Sequence, residues 1–257
     1  MENTSTVSAV VRVFAILEDM ATHPDAGISD LADRLKLPKA TIHRFVKTLE
    51  SMGYVKQQAN TERYRLTMKL FELSSQIIDH LDIISIAGEY MQKLSDLTGE
   101  TVHLGSIEDG AMVYLHKIPS RHALQLVSKV GRRAPVHCTA IGKAISAALP
   151  EEEGRIQAGV APFTRFTENT IVSQGQWDEE LITIQGRGYA MDDQEHELNV
   201  RCFAVPVFDR NNMPIAGISI SIPTFRLDEE FMPEILQQLR NAGQSVSTEL
   251  GSTVAAL

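Results

Sequence analysis

The stretch SDLADRLKLPKATIHRFVKTLESMG, residues 29–53, decides how this chain is read. It reads as two short helices joined by a tight turn. In the second, Ile42, Phe45, Val46, Leu49 and Met52 recur at helical spacing and form an apolar face. The other face carries Lys39, Thr41, His43, Arg44, Lys47 and Thr48, with no carboxylate before Glu50. Those side chains can donate to phosphates and base edges, which is what a helix lying in a DNA major groove requires. An isolated helix of this pattern reads first as a solvated surface, and it is the flanking residues that reverse that reading.

Upstream, Val7, Val10, Val11, Phe14, Ile16, Leu17 and Met20 predict a further amphipathic helix that stops near His23-Pro24. Ser29 is the expected N-cap of the next helix, with Asp30 at its positive end. Gly53 suits the left-handed residue that ends the helix after it. Residues 54–56 and 63–66 then read as a hairpin with a polar tip at 57–62. Three helices and a basic hairpin make a winged helix-turn-helix. Lys56, Arg63 and Arg65 are placed beside flanking phosphates, which fix register while the helix reads sequence.

Charge separates the chain into two parts. The whole carries −9, yet residues 1–76 hold 10 Lys and Arg against 9 Asp and Glu, a net of +1. The remainder is at −10. An acidic remainder repels DNA, so a small ligand is the expected partner there. A length of 257 residues suits about two domains. No apolar run reaches a membrane-spanning length, and the N-terminus lacks the basic and apolar segments of a secretory signal. Two cysteines, Cys138 and Cys202, are too few for a disulfide framework, which points to a reducing cytoplasm.

Residues 69–99 are mostly helical in pattern, with a break near Asp82; 69–81 is the candidate linker helix. Strands are expected at 101–107, 111–117 and 123–130, the first two joined by a Glu108-Asp109-Gly110 turn. Thr139 is placed to cap a helix over 140–149, Asp178 to open one ending at Gly188, and Asp228 to cap a final helix towards Leu250. Residues 201–208 and 215–222 read as two more strands around an Asp209-Arg210-Asn211-Asn212 turn, with Pro206 demoting the first to an edge or bulge. The class is α+β: a winged helix, a linker helix and a second domain of antiparallel sheet flanked by helices.

The run Gly217-Ile218-Ser219-Ile220-Ser221-Ile222 is informative in detail. Strand period two puts the isoleucines on one face and Ser219 and Ser221 on the other. The isoleucines require a core. The serines either face water or line a polar pocket. A second polar cluster is Asp192, Asp193, Glu195, His196 and Cys202, which also reads as a polar loop entering a strand with a buried thiol.

Taken together, these residues resemble the IclR family of bacterial transcription regulators over nearly the whole chain. The runs that carry the resemblance are VVRVFAIL (10–17), KATIHRF (39–45), YRLT (64–67), TAIGK (139–143), GYAMDDQE (188–195), RCFAVPVFD (201–209) and ISIS (218–221). The resemblance implies a GAF-like effector domain tethered to the winged helix, acting as a homodimer or dimer of dimers on a pseudo-palindromic operator. It maps a small-acid pocket onto Ala140, Ile141, Gly142, Asp192, Cys202, Ser219 and Ser221. The implied domains are 1–68, 69–83 and 84–257. VHLG (102–105), VYLHKI (113–118), GRRAP (131–135) and AVPVFDR (204–210) are most similar to the KdgR-type branch, the repressors of pectin and hexuronate catabolism. That implies 2-keto-3-deoxygluconate or a related sugar acid as effector.

Such a ligand presents a carboxylate, which backbone N–H groups at a helix N-terminus receive, and a carbonyl, to which serine hydroxyls donate. Lys117, Arg132, Arg133 and His137 are candidate extra donors, His137 foremost because it adjoins the pocket helix. In DNA binding, Thr41, His43 and Arg44 are expected at base edges, and Lys39, Lys47 and Arg65 at phosphates. An activator, or a regulator answering to an aromatic or other small acid, fits the same family. An enzyme using Cys202 as nucleophile lacks a nucleophile-elbow run. A metal held by His137, Cys138, His196 and Cys202 lacks a zinc-ligand spacing. The reading therefore requires no cofactor, metal or membrane.

Overall fold

The computed structural model describes residues 7–78, 82–123 and 128–254. Contacts divide the chain into two units, Met1–His80 and Leu81–Leu257.

The first unit comprises α1 (Ser8–Thr22), β1 (Ala26–Gly27), α2 (Ile28–Leu35), α3 (Lys39–Ser51), β2 (Val55–Gln57), β3 (Arg63–Leu66) and α4 (Lys69–Ile78). Its small antiparallel sheet runs β1-β3-β2. Ile16, Met20, Leu31, Ile42, Val46, Leu49, Val55 and Tyr64 form its core. This is a winged helix-turn-helix, with Gly53 at φ 82° just past the end of α3. Asp19 and Arg34 clamp α1 to α2 through a bidentate pair at 2.8 and 2.5 Å.

Two details differ from the sequence reading. Helix α2 starts at Ile28, capped by Gly27 rather than Ser29, because Asp30 accepts the Gly27 N–H at 3.2 Å. Only the Ile16 and Met20 side of α1 is buried; Val7, Val10, Val11 and Phe14 are exposed. Of the expected linker span, residues 79–81 lie outside the described residues.

The second unit begins with α5 (Asp82–Thr98), β4 (Thr101–Glu108), β5 (Ala111–Ile118), β6 (Arg133–Pro135), α6 (Ala140–Ala148) and α7 (Glu151–Ile156). It continues with α8 (Gln174–Arg187), β7 (Ala190–Asp193), β8 (Val200–Phe208), β9 (Pro214–Pro223) and α9 (Met232–Glu249). Six antiparallel strands run β6-β5-β4-β9-β8-β7. Strand alternation sorts the two faces. Val102, Leu104, Phe203, Val205, Ile218, Ile220 and Ile222 pack on α5 and α9. Each isoleucine so buried contributes up to about 1.5–3 kcal/mol. The opposite face meets α6 and α8 around Ile141, Ile145, Trp177 and Ile184.

Here too the details depart from expectation. Of the strand expected at 123–130, the described residues are irregular and 124–127 lie outside the described set; β6 takes the edge position instead. Helix α8 starts at Gln174, four residues before Asp178, on a Ser173–Gln176 capping box. Helix α9 starts at Met232, and Asp228 instead accepts the Glu230 N–H in the turn before it. Strand β8 is internal, but β7 pairs only with Arg201 to Ala204, so Pro206 sits where β8 has one neighbour and needs no second donor.

Candidate functional site

Two polar surfaces stand out, one in each unit. In the first, burial of Ile42, Val46 and Leu49 turns the opposite side of α3 outward. Lys39, His43, Arg44 and Lys47 are exposed there, Thr41 is half-buried, and Arg65 is exposed on the wing. Lys47 is held towards the wing: its Nζ lies 2.8 Å from Glu50 Oε2 and 5.5 Å from the centre of the Tyr64 ring. Arg63 is exposed but is engaged within the unit. Its guanidinium pairs with Asp30 at 2.9 Å and donates to the Asp25 carbonyl at 2.5 Å, tying the wing to the start of α2.

In the second unit, the sheet face turned towards α6 carries two rows of side chains across the strands. Register sets His103 beside Ser219 and Thr101 beside Ser221. Ser221 lies opposite Cys202, and Cys202 opposite Asp192. Gly105 and Gly217 leave this face low where Ile141 descends on it; a Cβ on Gly217 would stand 3.2 Å from the Ile141 side chain. The cavity so formed is about 100 Å3 and is lined by Ala140, Ile141, Asp192, Cys202, Ser219 and Ser221, among others. That is well below the roughly 300–1,000 Å3 of drug-sized sites and suits a compact ligand. The first turn of α6 leaves its leading N–H groups without intrahelical partners. Thr139 occupies the N-cap position but does not cap: its hydroxyl donates to the Pro135 carbonyl at 2.8 Å.

Of the residues the sequence assigned to the pocket, Gly142 and His137 do not line it. Gly142 is a packing residue, since a Cβ there would meet the Val136 carbonyl at 2.5 Å. His137 is buried elsewhere, with Nε2 2.9 Å from the Thr164 carbonyl and its ring stacked on Phe163. Arg132 does line the pocket, whereas Lys117 donates to the Ser128 carbonyl at 3.1 Å and Arg133 to the Glu108 carbonyl. Sequence reasoning missed His103, Tyr114, Ser128 and Glu197, all on the lining. The alternation Val102-His103-Leu104 held the signal for His103, because the flanking residues belong to the core.

The pocket's electrostatics follow from its burial. Asp192 is 5% exposed and accepts the Glu195 and His196 N–H groups at 2.7 and 3.4 Å. Burial, and then the Glu195 carboxylate, push its pKa up to about 7. Burial also keeps the Cys202 and Cys138 thiols protonated. Lys143, 1% exposed, reaches Glu180 at 3.1 Å and pairs with Glu195, fastening α6 to the loop that follows Asp192. The site thus combines hydrogen-bond donors, among them Arg132, Ser219 and Ser221, with an Asp192 carboxyl that gains its charge only around neutrality. Among the described residues, no three His, Cys, Asp or Glu side chains are arranged to hold a metal ion. No helix among them is long and apolar enough to cross a membrane.

Residues 9–59 match the IclR helix-turn-helix domain, and residues 75–248 match the family described as bacterial transcriptional regulator IclR C-terminal. The chain is 41% identical over 245 residues to the HTH-type transcriptional regulator KdgR of Dickeya chrysanthemi, covering 95% of this chain and 80% of that protein. It is 40% identical to the regulator of the same name in Escherichia coli K12, covering 95% and 93%. The crystal structure of Thermotoga maritima IclR matches with a TM-score of 0.83 at 30% identity, covering 95% and 99%. These relatives are regulators rather than enzymes, and the half-buried Cys202 thiol, held protonated, is the opposite of an activated nucleophile. With a winged helix at one end and an effector-type domain at the other, the chain belongs to the IclR family of bacterial transcriptional regulators.

Proposed function

We propose that this regulator represses sugar-acid catabolic genes and is released from its operator by a small 2-keto acid such as 2-keto-3-deoxygluconate. The observation that carries the reading is the convergence of Ser219, Ser221, Cys202, Asp192 and the first turn of α6 on one buried cavity. In that cavity the carboxylate meets the α6 amides and the serine hydroxyls, and Asp192 meets the sugar hydroxyls. The identity to two regulators named KdgR supports the choice of ligand class.

In this reading residues 1–68 bind DNA, 69–83 link, and 84–257 sense. Two copies place their α3 helices in major grooves about 34 Å apart, or a multiple of that, on a pseudo-palindromic operator. Thr41, His43 and Arg44 face base edges, while Lys39, Lys47 and Arg65 face phosphates. The exposed apolar residues Val7, just before α1, and Val10, Val11 and Phe14 on it supply a surface that a second copy covers. Ligand binding shifts the linker population and weakens operator binding, with a coupling of about 1–3 kcal/mol.

Thermal melting with and without 2-keto-3-deoxygluconate tests the site. The wild type is expected to gain several degrees at saturating ligand, and the Ser219→Ala, Ser221→Ala double variant to gain none. An equal gain in both would put the ligand elsewhere.

A further inference from the structure

His103 joins the floor of the pocket to its wall, and the roles assigned so far leave it without a task. It is 2% exposed and lies in register with Ser219. Its ring leans on Tyr114 with centroids 4.8 Å apart. Nε2 is 2.7 Å from Ser128 Oγ on the wall, and Nδ1 is 3.5 Å from Ser221 Oγ on the floor. The same serine oxygen receives the Cys202 S–H at 3.2 Å.

Burial, with Lys117 nearby, drives the imidazole pKa down to about 3, so the ring is neutral and carries a single N–H. Two arrangements follow. With the proton on Nε2, the ring donates to Ser128, and Nδ1 takes up the Ser221 hydrogen inside the protein. With the proton on Nδ1, Ser128 donates to Nε2 and the ring donates to Ser221. In this second arrangement Ser221 Oγ accepts from both His103 and Cys202, which fills its two lone pairs. Its own hydrogen then points to the pocket. An anionic ligand oxygen offers no donor, so it favours this arrangement. The two tautomers interconvert by proton exchange without change of net charge.

We propose that His103 is a positioning residue: through the chain Ser128, His103, Ser221 it commits the Ser221 hydroxyl to donate into the pocket. The site thereby selects a carboxylate or carbonyl oxygen at that point and disfavours a hydroxyl donor. The inference rests on the proposed reading of this cavity as the effector site.

The test uses the full chain and 2-keto-3-deoxygluconate as the probe. Titration calorimetry is expected to show a loss of about ten- to a hundredfold in affinity for His103→Leu, the scale of one hydrogen bond to a charged group. His103→Gln, whose amide can still accept from Ser128 and donate to Ser221, should recover most of it. Unchanged operator affinity in the ligand-free variants separates this from general damage. Long-range proton–nitrogen NMR of the wild type, with His103 assigned from the Gln variant, gives a readout that needs no Leu variant. On saturation Nδ1 should carry the proton and Nε2 should be bare. A His103→Leu affinity within about twofold of wild type, or an Nε2–H tautomer in the saturated protein, overturns the proposal and leaves the pocket standing. A wild type that binds none of the probe removes the pocket reading, and the inference with it.

Discussion

The outer face of α3 and the pocket face of the six-stranded sheet are both rows of polar side chains, built under opposite constraints. On α3 the cations are exposed, while Ile42, Val46 and Leu49 beneath them anchor the helix in the core. A change there alters what the surface binds and leaves folding nearly untouched. In the pocket, Asp192, His103, Ser219 and Ser221 are each at most 5% exposed. Every polar group there needs a partner or costs free energy. One region separates function from stability; the other joins them.

Lys143→Met breaks that comparison hardest. It strips Glu195 of its cation in a buried site, and such losses cost about 3–5 kcal/mol. Urea unfolding of the second unit should fall by that amount, whereas no exposed cation of α3 should approach it. Arg44→Ala is the converse. Operator affinity should fall by about 1–3 kcal/mol, read by anisotropy, while the melting temperature and ligand affinity hold. Loss of ligand affinity as well would sink the separation of roles.

A subtler prediction concerns pH. Asp192 has a folded pKa raised to about 7 from 3.8, so the folded state holds this proton longer than the unfolded state. Its contribution is fully present below about pH 4 and is lost as pH rises through about 7. The stability difference between wild type and Asp192→Asn should therefore move against the wild type across that window and flatten above it. Denaturant titrations at several pH values would read this directly. The smallest effect on ligand binding is expected from His137→Ala. Losing the Thr164 hydrogen bond and the Phe163 stack costs about 1–3 kcal/mol of stability, but calorimetry should find ligand affinity unchanged.

The two regions also differed in how readily they were read. The α3 pattern is contiguous, so 3.6-residue spacing over residues 39–51 displays both faces at once. The serine face was legible for the same reason, from six consecutive residues of β9. The rest of the pocket was not, because its lining comes from strands distant in sequence and only register joins them. His137 shows the cost of substituting chain proximity for register: two residues before α6, its side chain turns to Phe163 and away from the cavity. The Gly27 cap was hidden because β1 is two residues long, too short to carry a period. The exposed apolar side of α1 was indistinguishable from its core side, since both carry large apolar residues at helical spacing.

In the proposed mechanism the two regions act together: a ligand in the pocket is expected to release the exposed helix from DNA. Fluorescence anisotropy of the full chain on the intergenic DNA upstream of its own gene, at fixed salt, tests it directly. Titration with 2-keto-3-deoxygluconate should release the DNA. Operator binding that stays unchanged while calorimetry shows the pocket saturated would contradict the account.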